Sequence, residues 1–196
     1  MLRVGIFSGA FAPIHKGHVE AARAFLSQMW LDVLFVVPTC CETLQGASDE
    51  DRIECCRIAF RDIDGVIVSD VGIRRGDTDF SAEALRDFSD DDRRLFLLCG
   101  TDGMLTLGER NDAGEIFKFC YPVYVRRESD KRLDGEIIAK NQEYFEKYGR
   151  YVIKLDTPAI EISSSKLRMM MRQGGDGTEF MDSEVLKYIE NKGLYR

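Results

Sequence analysis

The sequence predicts an α/β fold: a parallel sheet wound with helices on both faces. Two observations carry that expectation. Several short apolar runs, LRVGIF (2–7), DVLFVV (32–37) and LFLLC (95–99), are almost continuously hydrophobic, as strands covered on both faces must be. Between them lie stretches whose apolar residues recur at helical spacing, so strand and helix alternate along nearly the whole chain. No repeat, low-complexity tract or linker interrupts the pattern, and residues 1–196 read as one domain.

Taken in order, LRVGIF is the first strand. Val19, Ala22, Phe25, Leu26 and Met29 mark a helix over about 17–29, and Asp32–Val37 is a strand closed by Pro38. After a loop over 38–47, Ser48 is the N-cap of a helix with Asp49, Glu50 and Asp51 in its first turn. Val66–Ser69 is a strand. A polar loop with Arg74, Arg75 and Gly76 leads to a helix starting near Ser81. Leu95–Cys99 is followed by a broken helical region over 103–119, and Pro122–Val125 is the next strand. Asp134–Tyr148 is a helix with Ile137, Ile138, Tyr144 and Phe145 inward, stopped by Gly149. Tyr151–Leu155 is the last strand, and helices follow from Ser163–Ser165 and from Ser183. Trp30, the single tryptophan, is expected to pack.

Composition narrows the function classes. A net charge of −7 argues against a nucleic-acid partner, which needs a basic face, and leaves room for a small anion held by local donors. No apolar run approaches the roughly 18–20 residues of a membrane span, and LRVGIF lacks the form of a signal peptide. A cytoplasmic protein without membrane partners is the expectation, with a homo-oligomer compatible but not indicated. The six cysteines include two adjacent pairs and no CxxC, so reduced, buried thiols are expected rather than disulfides or structural zinc.

The chemistry-bearing stretch is Ser8-Gly9-Ala10-Phe11-Ala12-Pro13-Ile14-His15-Lys16-Gly17-His18. Glycines after a first strand let backbone approach an anion, and the following helix start adds partial positive charge. His15 and His18, the only two histidines, share one face of that first turn and can donate hydrogen bonds to a phosphoryl group. Two polar residues at a helix start would be the plain alternative; a metal pair lacks further ligands nearby. Far downstream, Ile162-Ser163-Ser164-Ser165-Lys166-Leu167-Arg168 places hydroxyls, helix N–H groups and a guanidinium where a polyphosphate would be held, although serine capping alone explains the serines.

Together, in this order, these motifs resemble the HxGH and ISSxxxR signatures of the nucleotidylyltransferases, in particular the bacterial nicotinate-nucleotide adenylyltransferases. Gly100-Thr101-Asp102 after an apolar strand, Arg127 after YPVYV, and the tail Val185…Tyr188-Ile189…Leu194-Tyr195 extend the resemblance over nearly the whole chain. It implies a Rossmann-like fold and transfer of AMP from ATP to nicotinate or nicotinamide mononucleotide, with Mg²⁺ bridging phosphates. By resemblance, His15 and His18 are catalytic. Ser8, Gly9, Phe11, Gly17, Gly100, Asp102, Ile162, Ser164, Ser165 and Arg168 bind ATP, and Ala10, Phe80, Ser81 and Arg127 bind the acceptor, although a core aromatic and a helix N-cap explain Phe80 and Ser81 equally well. No residue is a metal ligand. Lys16 is either a further phosphate contact or a solvated lysine.

The departures fall on the acceptor side. Ala12 stands where relatives carry Asp or Asn, so a polar contact near the acceptor or nucleotide is expected to be lost. The loop PTCCETLQGAS has no cation where relatives have a basic element, and a tryptophan expected beyond Gly-x-Asp is missing from LGERNDAGE. The sequence therefore leaves open another phosphomonoester acceptor, CTP in place of ATP, or a weakly catalytic nucleotide-binding paralogue.

Overall fold

The computed structural model describes residues 1–41, 46–126, 131–158 and 161–196. Among them, six strands form one parallel sheet: β1 (Leu2–Gly9), β2 (Val33–Pro38), β3 (Val66–Val68), β4 (Arg93–Gly100), β5 (Cys120–Val125) and β6 (Ile153–Lys154), in the order β3-β2-β1-β4-β5-β6. The chain starts in the middle of the sheet, winds outward one way and then returns to wind the other way. A crevice therefore opens between the carboxyl ends of β1 and β4, where ligands bind in doubly wound sheets.

One face is covered by α1 (Lys16–Gln28), α2 (Asp49–Phe60), α8 (Ser164–Arg172) and α9 (Ser183–Lys192), whose core joins Phe7, Phe25, Cys56, Phe96, Leu167 and Ile189. On the other face, α4 (Ala82–Arg86), α5 (Thr101–Thr106), α6 (Ala113–Phe119) and α7 (Asp134–Tyr148) pack Leu85, Met104, Phe117 and Tyr144 against Val4, Ile6 and Leu97. Consecutive residues of β1 and β4 thus enter opposite cores, which explains their unbroken hydrophobicity. Ser48 caps α2 by accepting from Asp51 N–H at 3.1 Å, as expected of its acidic first turn.

Several local expectations are corrected. The polar stretch before Gly76 contains a short helix, α3 (Val71–Arg75), because Gly76 at φ 73° closes it by taking up the left-handed conformation. The helical region over 103–119 is broken as expected, by a 3₁₀ turn over Leu107–Glu109 between α5 and α6. β6 shrinks to two residues, since it is an edge strand bonded only to β5. On α7, Ile137 and Tyr144 point inward, but Ile138 and Phe145 are exposed and Phe145 stacks on Tyr151 at 4.4 Å. Trp30 is 79% exposed rather than packed, because it follows α1 at φ 46°, where the chain turns outward. All six cysteines are free; Cys55, Cys56 and Cys120 are buried, whereas Cys40, Cys41 and Cys99 are only half-buried. Burial pushes the Cys55 thiol up to about 12, with Asp51 and Glu54 adding to the shift, so it is an inert packing group.

Tyr144 fixes α5 beneath the crevice. Its hydroxyl donates to Met104 O at 2.9 Å and accepts from Gly108 N–H at 3.1 Å. Tyr144→Phe should leave those backbone groups unpaired and cost about 1–3 kcal/mol, or roughly 2–4 °C in Tm per kcal/mol, measured by thermal unfolding.

Candidate active site

A cavity of about 200 Å³ opens at the β1/β4 crevice, lined by Phe7, His15, Gly17, His18, Ala21, Gly100, Val125 and Ile162–Ser165. Two helix N-termini meet there: α1, thirteen residues long, and α8, nine residues long. Each brings the partial positive charge of its unpaired first-turn amides to the same space.

The turn from β1 into α1 is folded tightly under that cavity. Phe11 adopts φ 45°, Ala12-Pro13 is a cis peptide, and Phe11, Ala12 and Ile14 are 3%, 1% and 1% exposed. The Phe11 ring meets Phe7 edge-on at 5.2 Å and His18 at 5.1 Å, so two aromatic rings limit how the second imidazole sits. His15 is the N-cap of α1 and stacks on His18 with ring centroids 3.7 Å apart. The His15 backbone N–H donates to His18 Nδ1 at 3.2 Å. That bond makes Nδ1 the acceptor, so the neutral His18 ring carries its proton on Nε2 and is a donor there.

Three remote side chains take up the carbonyls of this turn. Arg52 Nη1 donates to Ala10 O, Arg168 Nη1 donates to Ala12 O at 2.6 Å, and Ser164 Oγ donates to Pro13 O at 2.9 Å. Two of these donors come from the distant serine motif, which explains physically why two segments so far apart in sequence belong to one site. Ser163 caps α8, accepting from Lys166 N–H at 3.3 Å, and its hydroxyl lies 3.2 Å from that of Ser165.

Of the residues expected from the sequence, the cavity wall unites His15, Gly17, His18, Gly100, Ile162, Ser164 and Ser165. Ser8, Gly9, Ala10 and Phe11 form the strand end and turn beside it, and Asp102 lies exposed in the first turn of α5. Arg168 is committed through one Nη to Ala12 O. Lys16 is exposed, and its ammonium donates to Thr178 O at 3.1 Å and Glu179 O at 2.7 Å. Ala12 is buried, and its carbonyl accepts from Arg168. On the acceptor side, Phe80 is 2% exposed and packs on Phe88 at 5.9 Å, while Ser81 caps α4 by accepting from Ala84 N–H. Arg127 lies outside the described residues.

Sequence reading passed over Arg52. Its side chain is 1% exposed, and it also bonds Thr39 O at 2.7 Å and the Asp49 carboxylate. The signal was available: Arg52 shares the helix face of buried Cys55 and Cys56, where a charge is expensive unless fully paired. Phe7, Ala21 and Val125 are further lining residues that no motif assigned to the site, and Ser163 of the serine motif lines it as well.

The family model described as Cytidylyltransferase-like matches residues 6–170. The chain belongs to that family. It is 30% identical to a probable nicotinate-nucleotide adenylyltransferase of Gemmatimonas aurantiaca, over 100% of this chain and 93% of that protein. A protein of the same printed name from Gloeobacter violaceus is also 30% identical, covering 98% of this chain and 96% of its own. Among solved structures, the fold matches Plasmodium falciparum nicotinic acid mononucleotide adenylyltransferase complexed with NaAD. The TM-score is 0.77 at 15% identity, over 100% of this chain and 98% of that one. Among the described residues no helix is long and apolar enough to cross a membrane.

Replacing Arg168 by Met should remove the charged donor to Ala12 O and cost about 1.5–3 kcal/mol of stability without any substrate present, read by urea unfolding.

Proposed function

We propose that this protein transfers AMP from ATP to nicotinate mononucleotide, releasing pyrophosphate, as a step of NAD biosynthesis. The observation that carries the reading is the convergence of two helix N-termini and the stacked His15–His18 pair on one cavity at the β1/β4 crevice. That arrangement suits a ligand whose negative charge is concentrated in phosphates. The names of the relatives in the family give the acceptor class. They lend nothing to CTP, to a different acceptor, or to a non-catalytic paralogue.

In the reaction, an oxygen of the mononucleotide's phosphate attacks the α-phosphorus of ATP. The new O–P bond forms as the bond from the α-phosphorus to the oxygen bridging it to the β-phosphorus breaks, and pyrophosphate leaves with that electron pair. No protein nucleophile is required. The protein's contribution is alignment and stabilisation of charge. His18, with its proton on Nε2, donates to the α-phosphate as charge develops there, and His15 buttresses its ring from 3.7 Å. The α8 N-terminus with Ser165 receives the β- and γ-phosphates, and the remaining Arg168 N–H groups add positive charge. Gly9, Gly17 and Gly100 keep backbone close to the nucleotide.

The Mg²⁺ that the resemblance implies would enter with the polyphosphate of ATP and supply positive charge there.

The test is pyrophosphate release from ATP or CTP with nicotinate mononucleotide, nicotinamide mononucleotide and other phosphomonoesters. ATP with nicotinate mononucleotide should give the highest kcat/KM; release with none of them would overturn the reading. His18→Ala should lower kcat by about 10²–10³ while ATP affinity changes far less, because the donor acts mainly in the transition state.

A further inference from the structure

Lys16 stands between two residues of the histidine cavity's wall, His15 and Gly17, yet its side chain leaves the other way. It lines a second cavity, of about 250 Å³, that shares only His15 with the first. Its ammonium reaches the connection between α8 and α9, where Gly177 O accepts from the N–H groups of Phe180 and Met181 at 3.0 and 3.1 Å. That single helical turn is fixed at both ends. Asp176 takes the N–H and the hydroxyl of Thr178, each at 2.9 Å, and Met181 is 1% exposed in the core.

Three successive carbonyls of this turn meet one residue. The Lys16 ammonium donates to Thr178 O at 3.1 Å and Glu179 O at 2.7 Å, and the Lys16 N–H, the first amide of α1, donates to Phe180 O at 2.8 Å. Carbonyls gathered at the end of a turn favour a cation, so the contact is matched in charge. The other end of α8 holds the preceding residues, through Ser164 on Pro13 O and Arg168 on Ala12 O. The start of α1 is thus gripped in two places by segments that α8 connects.

What this grip holds is the backbone of His15. Its carbonyl accepts from His18 N–H at 2.9 Å and Val19 N–H at 3.3 Å, and its N–H donates to His18 Nδ1 at 3.2 Å. That last bond is what leaves the His18 proton on Nε2. The first turn of a helix is where unwinding is cheapest, so contacts there govern local geometry more than global stability.

We infer that Lys16 is a positioning residue for His18: by clamping the first turn of α1 to the 178–180 turn, it keeps His15 N–H on His18 Nδ1 and the donor proton on Nε2. The kinetic consequence rests on the adenylyl-transfer reading; the state of the imidazole does not.

Lys16→Met should lower kcat about five- to tenfold, with KM for ATP and for nicotinate mononucleotide within about twofold of the parent. Tm should stay within about 2 °C, since the ammonium is exposed and its bonds are screened by solvent. Lys16→Arg keeps the charge and the donors and should recover most of the lost kcat. Asp176→Ala loosens the same carbonyls without touching α1. It should lower kcat about two- to threefold, and it serves if Lys16→Met does not fold. Without substrate, nitrogen NMR of the two imidazoles, the only ones in the chain, should show His18 as the Nε2–H tautomer in the parent and in Lys16→Arg. In Lys16→Met it should show a mixture of tautomers. A Lys16 that touched phosphate would raise KM for ATP instead, and one that merely stood in solvent would alter neither kcat nor the tautomer; either result would overturn the inference. So would a lowered kcat with an unchanged tautomer. A parent protein that releases no pyrophosphate would count against the proposed function alone, leaving the imidazole spectra to decide the clamp.

Discussion

The site depends on how the carbonyls of one tight turn are satisfied. Between β1 and α1 the chain reverses over buried Phe11, Ala12 and Ile14, and its backbone oxygens cannot all reach water. Arg52, Arg168 and Ser164 meet the oxygens of Ala10, Ala12 and Pro13. An unpaired buried carbonyl costs on the order of 1–3 kcal/mol, comparable with a sizeable part of a domain's net stability. Satisfying these carbonyls from three different places ties α2 and α8 to the turn that presents both histidines. The placement of the two histidines and folding stability are then set by the same contacts.

This use of side chains bears on how an acidic protein handles phosphate. Several cations near the crevice are engaged with the protein itself: Arg52 with two carbonyls and Asp49, Lys16 with Thr178 O and Glu179 O, and Arg126 with Asp134 at 2.7 Å. The ends of α1 and α8, the imidazole and hydroxyl donors that line the cavity, and the nearby Arg168 guanidinium are the groups that favour an anion there. Fixed dipoles need no reorganisation when charge moves during reaction, which is what a phosphoryl transition state rewards. The net charge of −7 therefore excludes little about a small anionic ligand, since local donors decide.

The sheet and its crevice were legible in sequence because unbroken apolar strands and 3.6-residue periodicity are local signals. The HxGH turn was legible for the same reason: strand, glycine turn, proline and helix start all fall within one short segment. What sequence reading missed depends on contacts between distant segments. Arg52 resembles an ordinary helix-surface arginine until its face is matched with Cys55 and Cys56. Phe80 reads equally as a ligand-facing ring or a core aromatic, and packing on Phe88 decides for the core. β6 is short because it has one neighbour, and Trp30 is exposed because of its backbone turn; neither is written in hydrophobicity. The resemblance marks Ala12 as the loss of a polar side chain; the structure adds that position 12 is buried and that its carbonyl accepts from Arg168.

The account's central claim is a single direct displacement at the α-phosphorus, aligned by the histidine turn, with no covalent protein intermediate. Rapid-quench single-turnover reaction of excess enzyme with ATP labelled at the α-phosphate, in the presence of nicotinate mononucleotide, tests it most directly. The label should pass straight into the dinucleotide with no protein-bound label at any time. Label trapped on the protein before product appears, or label that never reaches the dinucleotide, would contradict it.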